Sequence, residues 1–199
     1  MKAVASVAVA VLSFGLMASA SAQTPERVRG VVESLHGNTL TVKSRSGADV
    51  QVVLAKGWRA VAVLPGKIEQ IKPGSFIGAA AEGPPDNLRA TEVVVFPAAM
   101  RGTGEGHYPW DLAPGSSMTN GNVDGEVSAA DGRHLTVSYK GGSVKMTVPP
   151  DVPVVTLKRG DRAMVAPGAK VFIPGTREAG GTVTASRILV GTNGMTPPM

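Results

Sequence analysis

The stretch Gly37-Asn-Thr-Leu-Thr-Val-Lys43 decides the fold. Leu40 and Val42 alternate with Thr39, Thr41 and Lys43, the period-two mark of a strand with one buried and one wet face. The stretch returns as Gly132-Arg-His-Leu-Thr-Val-Ser138, with Leu40-Thr41-Val42 over Leu135-Thr136-Val137. Working outward, Val28-Arg-Gly-Val-Val32 lies beside Val123-Asp-Gly-Glu-Val127, so that Gly30 meets Gly125 and Val32 meets Val127. Gly47 meets Gly142 and, after the loss of one residue, Val50 meets Val144 and Pro73-Gly74 meets Pro167-Gly168. Ala90 then meets Ala185, and Val95 meets Val190. An offset sustained over both halves indicates a tandem duplication.

Each copy reads as five or so short strands. In the first, Val50, Val52 and Leu54 point inward beyond the Ser46-Gly47 turn, and Pro73-Gly74 makes a tight turn before Phe76–Ala81. Proline presets φ there and glycine can take positive φ. With 25 glycines, 15 prolines and few aromatics, the chain has the punctuation of an all-β protein, and no long helical period appears. Short twisted strands of this number curl into a small barrel. The expected fold class is therefore all-β: two tandem small OB-like β-barrels at residues 23–99 and 123–191, an ordered connector at 100–122, and a flexible tail at 192–199. Each copy is near the size at which a domain buries only about 60% of its unfolded surface, so the two are expected to pack together.

The N-terminus speaks to compartment. Met1-Lys2 precedes an apolar run to Met17, and Ala20 and Ala22 suit a small-residue cleavage site before Gln23. That is the layout of a secretory signal helix over residues 1–22. The run is shorter than the roughly 20 residues a spanning helix needs, and no later stretch is long enough. A periplasmic or secreted chain without a membrane span after cleavage is the expectation. It has no cysteine, so stability must come from burial alone. The formal charge of +5 is spread through both halves. A nucleic-acid binder would concentrate its charge and offer strand aromatics for base stacking, so no nucleic-acid partner is expected.

The pattern V-x-G-x-V, G-x-x-L-T-V, a glycine turn, V-x-V, a Pro-Gly turn before an apolar strand, and a closing A-T/S-x-x-V strand resembles the DUF5666 repeat. That family is an uncharacterised, exported bacterial β-barrel module of OB-like character, and both copies match it. The resemblance implies fold and export, and it is silent on chemistry.

The unduplicated connector, Met100–Val123, gathers what chemistry there is. Gly102-Thr-Gly-Glu-Gly106 has the glycines of a phosphate loop, but Pro109 follows where a helix would be required. His107, Asp111 and Ser116 contain the ingredients of a nucleophilic triad without its strand-turn-helix setting. Thioether and imidazole together suit Cu(I), which makes Met100, His107 and Met118 the candidate metal ligands, although methionine is also a routine core filler. Glu105, Tyr108, Trp110 and Asp111 are the candidate contacts to an envelope partner or ligand. The expected function is an exported binding or interaction module with no catalytic activity and no required cofactor. A periplasmic copper-handling protein is the alternative.

Overall fold

The computed structural model describes residues 23–199. The expected signal helix at residues 1–22 lies outside them. Among the described residues no helix is long and apolar enough to cross a membrane. The described residues are all-β, with twelve strands among them: β1 Thr24–His36, β2 Thr39–Ser44, β3 Asp49–Pro65, β4 Phe76–Glu82, β5 Leu88–Val95, β6 Gly106–Pro109, β7 Ser117–Ala129, β8 Gly132–Tyr139, β9 Gly142–Val148, β10 Val154–Arg159, β11 Lys170–Arg177 and β12 Val183–Gly191.

The alternation read from the sequence sets the inward faces. Leu40 and Val42 on β2, Val52 and Leu54 on β3, and Leu135 and Val137 on β8 are all buried. The β-sheet order then joins strands that the sequence keeps far apart. β1, β2 and β3 pair in sequence, but β11 pairs with β1 and β12 closes onto β3, giving a five-strand barrel. Its core holds Val28, Val32, Leu40, Val42 and Trp58 from the first half against Val171, Ile173, Ile188 and Val190 from the second. A complementary ring runs β4, β5, β9, β8, β7, closed between β5 and β9 by only two residue pairs, Leu88↔Met146 and Arg89↔Thr147. Ile77, Ala79, Leu88 and Val93 meet Val123, Leu135, Val137 and Met146 in its core. The expected assignment of 23–99 and 123–191 to one barrel each is thereby corrected. Each ring takes its first three strands from one half and its last two from the other.

Two hydrogen bonds show why the exchange works. The turn glycine Gly168 donates its N–H to the Val32 carbonyl at 2.8 Å, and Gly74 donates to the Val123 carbonyl at 2.7 Å. Each Pro-Gly turn thus docks on the first strand of the other half. The same bonds make Val123, not Val127, the counterpart of Val32. Val32 pairs with Val42 and Val123 with Val137, both 1% exposed, whereas Val127 is 65% exposed. The first strand of the second copy is therefore Thr119-Asn-Gly-Asn-Val123, four residues earlier than expected. Its Gly121 takes the place of Gly30. A Cβ on Gly30 would lie 2.0 Å from the Lys43 carbonyl oxygen, and one on Gly121 2.3 Å from that of Ser138. Only glycine allows this close approach. The connector accordingly ends at Ser116, because Ser117 already belongs to β7.

The rings meet through their outer faces. Val63, Val94, Val155, Leu157, Phe172 and Leu189 form a third cluster between them. β10 helps to join the rings, antiparallel to the end of β3 and parallel to β5. Met195 and Met199 pack on this cluster, with Met199 only 7% exposed. The expected flexible tail at 192–199 is corrected to a docked one, because its methionines cover apolar surface that neither ring can bury alone.

Candidate functional site

The site grows from the outward positions of β1, β7, β11 and β12. Inward residues of these strands fill the ring cores, so the alternate residues face the gap between the rings. Val28 and Val32 are core on β1, which turns Arg27 and Arg29 outward. On β11 and β12 the same logic presents Phe172 and Leu189 to the inter-ring cluster. The connector then crosses the opening. The short strand β6 pairs with β7, setting His107 opposite Thr119 and Tyr108 opposite Met118. What remains beneath it is a cavity of about 560 Å³. Val94, Phe96, Leu157, Phe172, Leu189 and Met118 give it apolar walls, and Arg27, Arg187, Tyr108 and Asn120 add polar groups.

Trp110 is the centre of the roof. Its ring tilts against Phe172 at 6.3 Å and Tyr108 at 6.1 Å, and the Arg27 guanidinium stands 4.0 Å above its face. A cation held over an indole in this way contributes on the order of 0.5–2 kcal/mol. The Trp110 indole N–H is buried and has no acceptor among the described residues. Asp111 receives a bidentate pair from Arg29 at 2.8 and 2.8 Å, with Arg27 at 3.7 Å. The hydrogen bonds from Arg29 hold the Asp111 carboxyl below its usual range. Burial raises the Tyr108 phenol, against the opposing pull of Arg27 and Arg187. Asn120 steadies that phenol by donating to its oxygen at 3.1 Å and to the Gly104 carbonyl at 2.9 Å.

The connector is tied to both rings. Arg101 donates to the Gly74 carbonyl at 2.6 Å and to the Asn122 side chain. Glu105 accepts from the Lys140 N–H at 3.0 Å, which places it at the β8–β9 turn and away from the cavity. Asp111 anchors the other end to β1.

The seven candidate residues thus divide. Met100, Tyr108, Trp110 and Met118 line the cavity; Asp111 braces its roof; Glu105 and His107 lie outside the lining. His107 turns to the other side of β6, where its Nδ1 meets the Thr119 hydroxyl at 2.9 Å and its ring stacks on Tyr139. The trio Met100, His107 and Met118 is not gathered on one wall. Among the described residues no group of three or more His, Asp or Glu side chains is placed to hold a metal ion. The triad ingredients disperse likewise: His107 is with Thr119, Asp111 with Arg29, and the Ser116 hydroxyl lies within hydrogen-bond reach of the Ala113 and Trp110 carbonyls, with one proton to donate.

Sequence reasoning missed Arg27, Arg187 and Phe172. Outward positions of a strand read as solvated surface unless the partner surface is known. Alternation with the core valines marked Arg27 as outward, and only the strand exchange shows what it faces. Also missed was Glu92, 6% exposed beneath the docked tail, with Oε1 lacking a hydrogen-bond partner among the described residues. Burial pushes its carboxyl up to about 7 despite the opposing charge of Arg29 and the Met199 backbone amide.

Comparison with family models, with curated proteins and with solved structures returned no match.

Proposed function

We propose that this chain is an exported envelope protein that binds a small organic ligand, without turnover, in the cavity between its two rings. The observation that carries the reading is the cavity itself. Its volume of about 560 Å³ falls within the range of small-molecule sites, and its walls are apolar with a few convergent polar groups. Among the described lining residues there is no histidine, serine or aspartate, and the one carboxylate side chain, Glu26, is paired with Arg177, which favours binding over acid–base or nucleophilic chemistry. The leader-like N-terminus and the DUF5666-like repeat pattern support export to a periplasm or beyond.

Titration with the neutral fluorophore N-phenylnaphthylamine tests the reading. Saturable binding at one site per chain is expected, and Leu189→Trp, which fills the cavity from β12, should abolish it. Failure to bind, or binding indifferent to that substitution, contradicts the reading.

A copper-handling role has one observation in its favour: two thioethers, Met100 and Met118, share the cavity wall. Titration with Cu(I) of the unaltered chain, His107→Ala and Met118→Ala tests it. Equal affinity in all three removes it.

A further inference from the structure

We propose that the cavity takes an amphipathic anion, a small negatively charged head on an apolar body. The inference rests on the cavity being the binding site and adds the chemistry of what enters it.

The walls made by Val94, Phe96, Leu157, Phe172 and Leu189 suit hydrocarbon and have no polar atoms with which to hold a hydrophilic ligand. The polar groups on the same lining are mostly donors. Arg187 is half-buried on the wall and forms no ion pair among the described residues. An arginine in such a place is costly to desolvate unless an acceptor meets it. Arg27 holds its guanidinium carbon 4.0 Å from the Trp110 ring centre, and its nearest carboxylate, Asp111 at 3.7 Å, is already held bidentately by Arg29. The Trp110 N–H is a further buried donor without an acceptor. Arg27, Arg187 and Tyr108 all line the same cavity.

The lining holds one carboxylate side chain, and it is engaged. Glu26, the one carboxylate side chain among the described lining residues, accepts from Arg177 Nε at 3.0 Å. The Asn120 carboxamide uses its N–H groups within the roof, and its oxygen is a neutral acceptor that leaves the guanidinium charges unbalanced. An incoming anion would supply the acceptor that Arg187 and Arg27 lack, while its apolar part displaces water from the phenylalanine and leucine walls. A cationic head would meet two like charges there, and a neutral one would leave Arg187 unpaired.

Three ten-carbon probes differing only in the head test this by displacing N-phenylnaphthylamine from the full chain: decanoate, decanol and decyltrimethylammonium. Decanoate should displace at least about tenfold more effectively than either other probe, the scale of one charge-assisted contact. Arg187→Gln should weaken decanoate by about tenfold and leave decanol within about twofold, and Arg187→Lys should recover most of the loss. Equal displacement by all three probes, or equal losses for decanoate and decanol in Arg187→Gln, overturns the anion inference and leaves the cavity as a site. If the fluorophore itself does not bind, the cavity reading and the inference fall together.

Discussion

The two rings are alike inside and unlike outside. Val32 and Val123, Leu40 and Leu135, and Val42 and Val137 occupy equivalent inward places and are all buried. At the equivalent outward places, Arg27 corresponds to Met118, Arg29 to Asn120, Phe172 to Gly78, and Arg187 to Glu92. The last pair reverses charge. A duplicated scaffold needs its core kept in kind, because close packing penalises any change of volume. Its outer face carries no such constraint. Here the two outer faces are pressed together, and their divergence produces one lopsided cavity with cations on one wall and thioether and amide on the other.

The largest expected effect separates two ways of matching the halves. If Gly30 and Gly121 are true equivalents, alanine at either forces a clash with a neighbouring backbone carbonyl. Each should cost about 3 kcal/mol or more in denaturant unfolding. Gly125 has open space around it, so Gly125→Ala should change stability by no more than about 0.5 kcal/mol. Similar losses at Gly30 and Gly125, with Gly121 tolerant, would restore the simpler alignment and break the equivalence used here.

Next in size is the charge reversal at Glu92. Its folded-state value of about 7 stands above the ordinary glutamate value of 4.5. Between these values the folded form holds a proton that the unfolded form has released, so stability falls as pH rises from about 4.5 to about 7. The penalty is fully present above that window, at most about 3 kcal/mol. Glu92→Gln should therefore stabilise the chain at pH 8 and change it little at pH 4. Thermal unfolding at the two pH values checks the sign, and a variant no more stable than the parent at pH 8 would show that Glu92 is ionised at little cost.

A smaller effect concerns the roof. Asp111 is nearly half exposed, so breaking its pair with Arg29 by Asp111→Asn should cost only about 0.5–1 kcal/mol. The connector should nonetheless be cut faster by protease, since this pair ties it to β1. Unchanged cleavage would mean that the remaining ties, Trp110 and the Arg101 and Glu105 contacts among them, hold the roof without this pair.

Much of the scaffold was legible in the sequence, and the exchange of strands was not. Leu40/Val42 and Leu135/Val137 announce inward faces, and Pro73-Gly74 and Pro167-Gly168 announce matching turns. Those signals say which face is buried and leave open which copy covers it, because duplicated halves present the same edge to either partner. The slip at Val127 has a similar origin: Val-x-Gly-x-Val recurs at Val123, yet the strand that pairs like β1 begins earlier, inside what reads as a connector. The site was half visible. Tyr108, Trp110, Met100 and Met118 stood out as rare residue types in an unduplicated insert. Arg27, Arg187 and Phe172 did not, since their role depends on a neighbour sixty or more residues away in the chain.

The chain's two tryptophans sit on either side of the contrast between ring interior and inter-ring surface: Trp58 is in the core of the five-strand barrel and Trp110 is in the cavity roof. Fluorescence of Trp58→Phe and Trp110→Phe variants, each titrated with decanoate, therefore tests the central claim most directly. The account predicts a saturable change in Trp110 emission in the first variant and silence from Trp58 in the second. A response from Trp58 with none from Trp110 would contradict it.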